Sequence, residues 1–106
     1  MFKKIKAIIL LAMLMPLQTF AQFSLDGKII DKENHEPLVG AHISLTELNL
    51  ITVSDGNGHF KFENIKKGTY TLEATYLGFK KYSNDIKIDK DTKTRIAMTT
   101  DSMMED

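Results

Sequence analysis

Between Thr69 and Tyr76 the chain alternates without a break: Tyr70, Leu72, Ala74 and Tyr76 fall on one side, Thr71, Glu73 and Thr75 on the other. Successive side chains of a strand point to opposite faces, so this stretch reads as a strand with one face in a core. A helix would scatter the same apolar residues around its circumference. The period of two returns along most of residues 22–98. Turn residues interrupt it every ~8–12 positions, the pattern of a small all-β sandwich or barrel.

Six further strands follow from the same rule. Phe23 to Ile29 forms the first, with Phe23, Leu25 and Ile29 inward. Ala41 to Leu45 forms the second, with Ile43 and Leu45 toward the core and His42 toward water. Leu50–Ser54 and His59–Phe62 are expected to pair as a hairpin around Asp55-Gly56-Asn57-Gly58, because Asp-Gly and Asn-Gly both tolerate positive φ. Asp85–Ile88 and Thr94–Met98 alternate again. The total is about seven strands, the number a Greek-key sandwich uses. Asp31 to Glu36 is a polar loop closed by Pro37, placed where no ladder hydrogen bond is lost. Gly68 suits a tight turn into the central strand, and Gly78 a bend between Tyr76 and Phe79. Tyr70 has two open readings: a hydroxyl anchored on nearby backbone, as in a tyrosine corner, or a plain core residue. Thr99 to Asp106 loses the alternation, turns acidic and reads as a flexible tail.

The first residues obey a different rule. Met1 to Lys6 is a short basic leader, Ala7 to Met15 an unbroken apolar run ended by Pro16, and Thr19 and Ala21 are small residues. This is the build of a secretory signal peptide spanning residues 1–21, with cleavage expected between Ala21 and Gln22. A membrane-spanning helix needs ~20 apolar residues, about twice what this run supplies. Removing residues 1–21 of the 106 leaves 85, with 11 of the 14 basic residues against all 14 acidic ones, a net charge of −3. Such a domain has no basic face for nucleic acid and no polybasic patch for anionic lipid. The absence of cysteine removes a disulfide framework, a thiolate metal site, a cysteine nucleophile and a lipid anchor on cysteine. The core alone must hold the fold, at a stability of about 4–13 kcal/mol for this length.

The residues that could carry chemistry do not assemble into a known pattern. His35, His42 and His59 fall in a loop, on a strand face and at a hairpin edge, whereas zinc needs three or four converging ligands. Asp55-Gly56-Asn57-Gly58 resembles the start of a calcium loop. The helix–loop–helix pattern, however, would need an oxygen ligand, a glycine and a glutamate where His59, Phe60 and Lys66 stand. No serine sits in a Gly-x-Ser-x-Gly turn. A pair of acids could meet in space, but so short a sandwich leaves little room for a pocket of ~300 Å³. The expectation is therefore a domain with no catalytic residues, no cofactor and no metal, working through a sheet edge or loop end.

Four ordered segments then carry a resemblance. Gly27-Lys28-Ile29-Ile30-Asp31 precedes Glu36-Pro37-Leu38-Val39-Gly40-Ala41-His42-Ile43, followed by Ser54-Asp55-Gly56-Asn57-Gly58-His59-Phe60 and Gly68-Thr69-Tyr70-Thr71-Leu72. Together they resemble the carboxypeptidase regulatory-like domain, a transthyretin-like β-sandwich, over Phe23 to about Met98. Asn34-His35 stands where that family often has a glycine turn, and asparagine tolerates the same left-handed geometry. The resemblance implies a non-enzymatic domain. In Gram-negative bacteria it implies the periplasmic front of a TonB-dependent outer-membrane receptor, ahead of a TonB-binding segment, a plug and a barrel. The tail from Asp101 to Asp106 looks like the approach to that segment and stops short of its usual valines and isoleucines. Without a barrel the chain is not expected to transport anything itself. The resulting expectation is an exported accessory domain, truncated or stand-alone, contacting proteins of outer-membrane uptake. The alternative is an envelope carbohydrate- or ligand-binding module, with Phe79 and Tyr82 as candidate sugar-stacking residues and edge-of-core packing as their plainer reading.

Overall fold

The computed structural model describes residues 21–101. Apart from Ala21, the expected signal peptide lies outside the described residues, as do residues 102–106. Seven strands form: β1 Gln22–Asp31, β2 His42–Leu45, β3 Leu50–Val53, β4 His59–Lys66, β5 Gly68–Thr75, β6 Tyr82–Ile88 and β7 Thr92–Met98. A single 3-10 turn, Thr46–Leu48, joins β2 to β3 and ends on Asn49 in the left-handed region. Three strands make one sheet in the order β4-β1-β7, and four make the other in the order β3-β2-β5-β6. All pairings are antiparallel except β1 with β7, which run parallel from Leu25 opposite Thr92 to Asp31 opposite Met98.

The two inner faces follow the alternation. Leu25, Ile29, Ile65, Ile96 and Met98 from the three-stranded sheet meet Ile43, Leu45, Leu72, Ala74 and Ile88 from the other, all buried. Phe60 and Phe62 pack edge to face with ring centroids 6.1 Å apart. Gly27 makes room for the first of these rings. A Cβ on Gly27 would sit 2.0 Å from Cζ of Phe60, its direct cross-strand neighbour. Phe23, read as inward, is only half-buried and packs against the rim of the core.

The hairpin expected between residues 50–54 and 59–62 does not form. β3 and β4 belong to different sheets, and Asp55-Gly56-Asn57-Gly58 carries the chain from one layer to the other. The turn itself is as the residues suggest. Gly58 N–H donates to the Asp55 carbonyl at 2.9 Å, and Gly58 takes φ 76°. Turn chemistry sets the local reversal, but the layer that receives each strand is set by which faces it can bury.

β4 runs four residues beyond Phe62 because it contains a bulge. Phe23 opposes Ile65 and Leu25 opposes Phe62, so Glu63 and Asn64 together face the single residue Ser24. Asn64 takes φ 59° to absorb the extra residue. The bulge lets Phe62 and Ile65 both point inward at a spacing of three, which strict alternation forbids. In the Asp31–Glu36 loop the left-handed residue is His35, with φ 62°, not Asn34 as expected. His35 N–H closes the turn on the Asp31 carbonyl at 2.8 Å, and the Asn34 side chain accepts from Glu36 N–H instead.

The tail also needs correction. Thr99 to Asp101 is pinned: Lys80 N–H donates to the Thr99 carbonyl, Thr100 bridges Phe79, and Asp101 N–H donates to the Gly78 carbonyl. The flexible-tail reading fails for these three residues, because backbone hydrogen bonds hold them to the β5–β6 connection. Its remainder, residues 102–106, lies outside the described residues.

Candidate contact surface

Tyr70 unites its two readings. Its ring is buried under the core, and its hydroxyl donates to the Lys66 carbonyl at 2.6 Å across the β4–β5 turn. Gly68 permits that crossing, since a Cβ there would lie 3.0 Å from the hydroxyl. Ser54 is the buried polar residue at the end of β3. Its Oγ donates to the Leu38 carbonyl at 2.6 Å and accepts from Ala41 N–H at 2.8 Å. Its backbone N–H donates to the Ala41 carbonyl, and its carbonyl accepts from Gly40 N–H. Four hydrogen bonds thus fasten residues 38–41 to Ser54, the residue that follows β3.

Glu47 has a comparable positioning role. β2 ends at Leu45, and the Glu47 carboxylate accepts from both Thr71 N–H and Thr71 Oγ at 2.7 Å. These bonds, the backbone one foremost, hold its carboxyl down from 4.5 to about 2. The Asp55 carboxylate is also held low, first by His59 N–H and then by Asn57 N–H, both at 2.9 Å. Its oxygen is thus committed to shaping its own turn. Among the described residues no three His, Asp or Glu side chains group to hold a metal ion. His35, His42 and His59 are all exposed and stand on separate elements.

What the fold brings together is apolar surface. Val39, Ile51, Val53 and Leu77 are exposed large apolar residues, Leu77 to 89%. Ile51 and Val53 point out of the four-stranded sheet from its edge strand β3. His42 pairs with Val53 on one side and Thr75 on the other, so one row runs from β3 toward Leu77. At the end of that row Gly40, His42, Tyr76, Leu77, Phe79 and Lys81 line an open groove of some 460 Å³. Tyr76 and Phe79 form its aromatic wall, with ring centroids 5.5 Å apart at 58°. A second open groove, some 620 Å³, lies where β3 and β4 meet. Its charges are mixed: Asp26 and Asp55 line it along with Lys28, Lys61 and Lys93, and Lys61 lies 4.0 Å from Asp26.

Phe79 and Tyr82, the candidate sugar-stacking residues, are half-buried and packed against the core. The apolar patch itself was missed from the sequence. Its signal is Leu50-Ile51-Thr52-Val53, where apolar residues occupy both parities of a strand that buries one face.

Seven strands in two sheets, with the surface built from edges and turns, define a β-sandwich module. The chain belongs to the CarboxypepD_reg-like domain family, whose model matches residues 25–106. A search of curated proteins gave no match. Similar solved structures include BcpA, the major pilin subunit of Bacillus cereus, at 21% identity and TM-score 0.64, over 76% of this chain and 31% of that one. A type II cohesin–X-dockerin complex from Acetivibrio cellulolyticus gives 19% identity and TM-score 0.62, over 74% and 58%. The shaft pilin SpaA of Lactobacillus rhamnosus GG gives 16% and 0.62, over 77% and 47%. In each case the chain spans less than two thirds of the solved chain, and the likeness is one of fold.

Proposed function

We propose that this chain is a non-enzymatic accessory domain that works by protein contact, exported to the periplasm and resembling the N-terminal extension of a TonB-dependent receptor. One observation carries the reading: apolar side chains of Val39, Ile51, Val53 and Leu77 stand exposed around one end of the four-stranded sheet. Exposed large apolar side chains gathered at one end of a sheet mark an interaction site. Edge strand β3 adds to it, because its four residues carry no charge, proline or bulge. The opposite edges are protected, β4 by Lys61, Glu63 and its bulge, and β7 by Lys93 and Arg95. Export is supported by the leader of residues 1–21, and the receptor context by the family.

The test is site-specific photocrosslinking in cells. A photoreactive residue at Ile51 or Leu77 is expected to capture a protein of the outer-membrane uptake machinery, and one at Lys90 to capture none. Equal capture from all three positions, or recovery of the chain in the cytoplasm, would overturn the proposal.

A further inference from the structure

We infer that two copies of this chain pair along edge strand β3, antiparallel about a two-fold axis at Thr52, so that their four-stranded sheets join edge to edge. β3 ends the order β3-β2-β5-β6, so one of its sides has no strand partner among the described residues. The bonds just beyond it fix which of its backbone groups face that side. Ser54 N–H donates to the Ala41 carbonyl and the Ser54 carbonyl accepts from Gly40 N–H, both on the side of β2. Alternate residues of an antiparallel ladder bond the same neighbour. Thr52 and Leu50 therefore also turn their backbone groups to β2, opposite Ile43 and Leu45. The N–H and C=O groups of Ile51 and Val53 point out of the sheet edge.

A second copy is the occupant because this edge is complementary to itself. With Thr52 opposite its own counterpart, Ile51 of each copy lies opposite Val53 of the other, and each such pair exchanges two backbone hydrogen bonds. The outward groups of both residues are then all used. The side chains agree with the backbone. Ile51 and Val53 are 73% and 51% exposed on the outer face, and the pairing sets each against the other. Thr52 meets Thr52 on the inner face, a favourable cross-strand pair. Just beyond the strand the same register sets Asn49 opposite Asp55, both exposed. An amide donor there meets a carboxylate whose Oδ1 is committed to its own turn, which leaves Oδ2 to accept. No like charges face each other. β6, the other edge of the same sheet, carries Asp85 and Lys87, charges of the kind that keep edges from pairing. Four residues make a short edge against the ~800 Å² per partner of a standard interface, so the pair is reversible and forms as concentration rises.

The chain has no cysteine, so a single introduced thiol reports self-contact. Thr52→Cys places two thiols opposite each other at the axis, where the Cα atoms of a non-hydrogen-bonded pair lie ~4.5 Å apart, within disulfide reach. Ile51→Cys places them on a diagonal ~7–8 Å apart, out of reach. Under mild oxidation of the chain as purified from cells, the T52C disulfide dimer is expected to form several-fold faster than that of I51C. Random collision gives the reverse order, because Ile51 is exposed and Thr52 half-buried. Sedimentation of the native chain is expected to show its mass rising with concentration to two copies, and Val53→Lys, a charge on the edge, to hold it at one. An I51C dimer that forms as fast as the T52C dimer overturns the inference. So does a native chain that stays single at ~1 mM, a V53K chain that pairs like the native one, or growth past two copies, since a two-fold pair closes on itself. Capture of an uptake protein at Leu77 depends on none of these outcomes, so the two proposals fail separately.

Discussion

Ser54→Ala removes one oxygen atom and leaves two buried backbone groups without partners. In the native domain that oxygen donates to the Leu38 carbonyl at 2.6 Å and accepts from Ala41 N–H at 2.8 Å. Ala41 is fully buried, and Leu38 and Ser54 are nearly so. A stranded buried polar group costs about 1–3 kcal/mol, so the pair costs about 2–6 kcal/mol. The whole domain is worth only about 4–12 kcal/mol at ~80 residues. With a urea slope near ~1 kcal/mol per molar for a chain this small, the unfolding midpoint falls by about 2 M or more. Equilibrium urea unfolding measures it, with the slope required to stay unchanged so that the loss is assigned to the native state. Hydrogen exchange supplies the local readout: the Ala41 amide should lose its protection while Leu72 keeps its own relative to global unfolding. A loss below about 0.5 kcal/mol would refute the argument, since it would place no weight on the pinning of residues 38–41.

Four other substitutions, one of them a control, test three separate parts of the fold. Gly58→Ala puts a Cβ 2.6 Å from the Ile29 carbonyl at a residue with φ 76°, and is expected to cost more than about 2 kcal/mol by chemical unfolding. Gly56→Ala, where a Cβ meets nothing within 4 Å, should stay within about 0.5 kcal/mol, and equal effects would contradict the geometry. Tyr70→Phe keeps the ring and loses the bond to the Lys66 carbonyl, which should lower the melting temperature by about 4–8 °C for a cost near ~1 kcal/mol. An unchanged melt would reduce Tyr70 to a core residue. Glu47 has its folded carboxyl lowered to about 2 from 4.5, so its stabilisation is complete above 4.5 and fades as pH falls toward 2. Unfolding midpoints of the native chain and Glu47→Gln should therefore converge across that window, and a constant gap would exclude the Thr71 clamp.

Much of the architecture is legible in the sequence because burial on one face leaves a period-two trace. The Thr69–Tyr76 alternation, the outward His42 and the inward Ile43 and Leu45 follow from that trace alone. The reading fails where a device interrupts the period. At Glu63–Asn64 the bulge shifts the inward positions by one, so the alternation breaks at Phe62 although β4 continues to Lys66. The pairing of residues 50–54 with 59–62 fails for a different reason. Asp-Gly and Asn-Gly specify a local reversal and carry no information about whether the strands leaving it share a sheet. Thr99 to Asp101 is held by backbone groups that any sequence possesses, which leaves no side-chain signature. The contact surface is partly legible: Ile51 and Val53 are outward apolar residues visible in the pattern. Leu77 joins them only through the fold.

The parallel pairing of β1 with β7 has a mechanical consequence. Seven successive residue pairs, from Leu25–Thr92 to Asp31–Met98, join the first and last strands side by side. Because the strands run in the same direction, the chain enters at one end of this ladder and leaves β7 at the other. Tension applied between Gln22 and Met98 therefore loads the ladder along its length, and its hydrogen bonds must yield together rather than open one at a time. Resistance of that kind is a property of the unfolding rate and not of equilibrium stability. Single-molecule extension from these two ends should need a larger force than pulling between Gln22 and Lys66, whose antiparallel strands peel apart from their shared end. Such a ladder transmits a pull applied at its two ends without losing its shape.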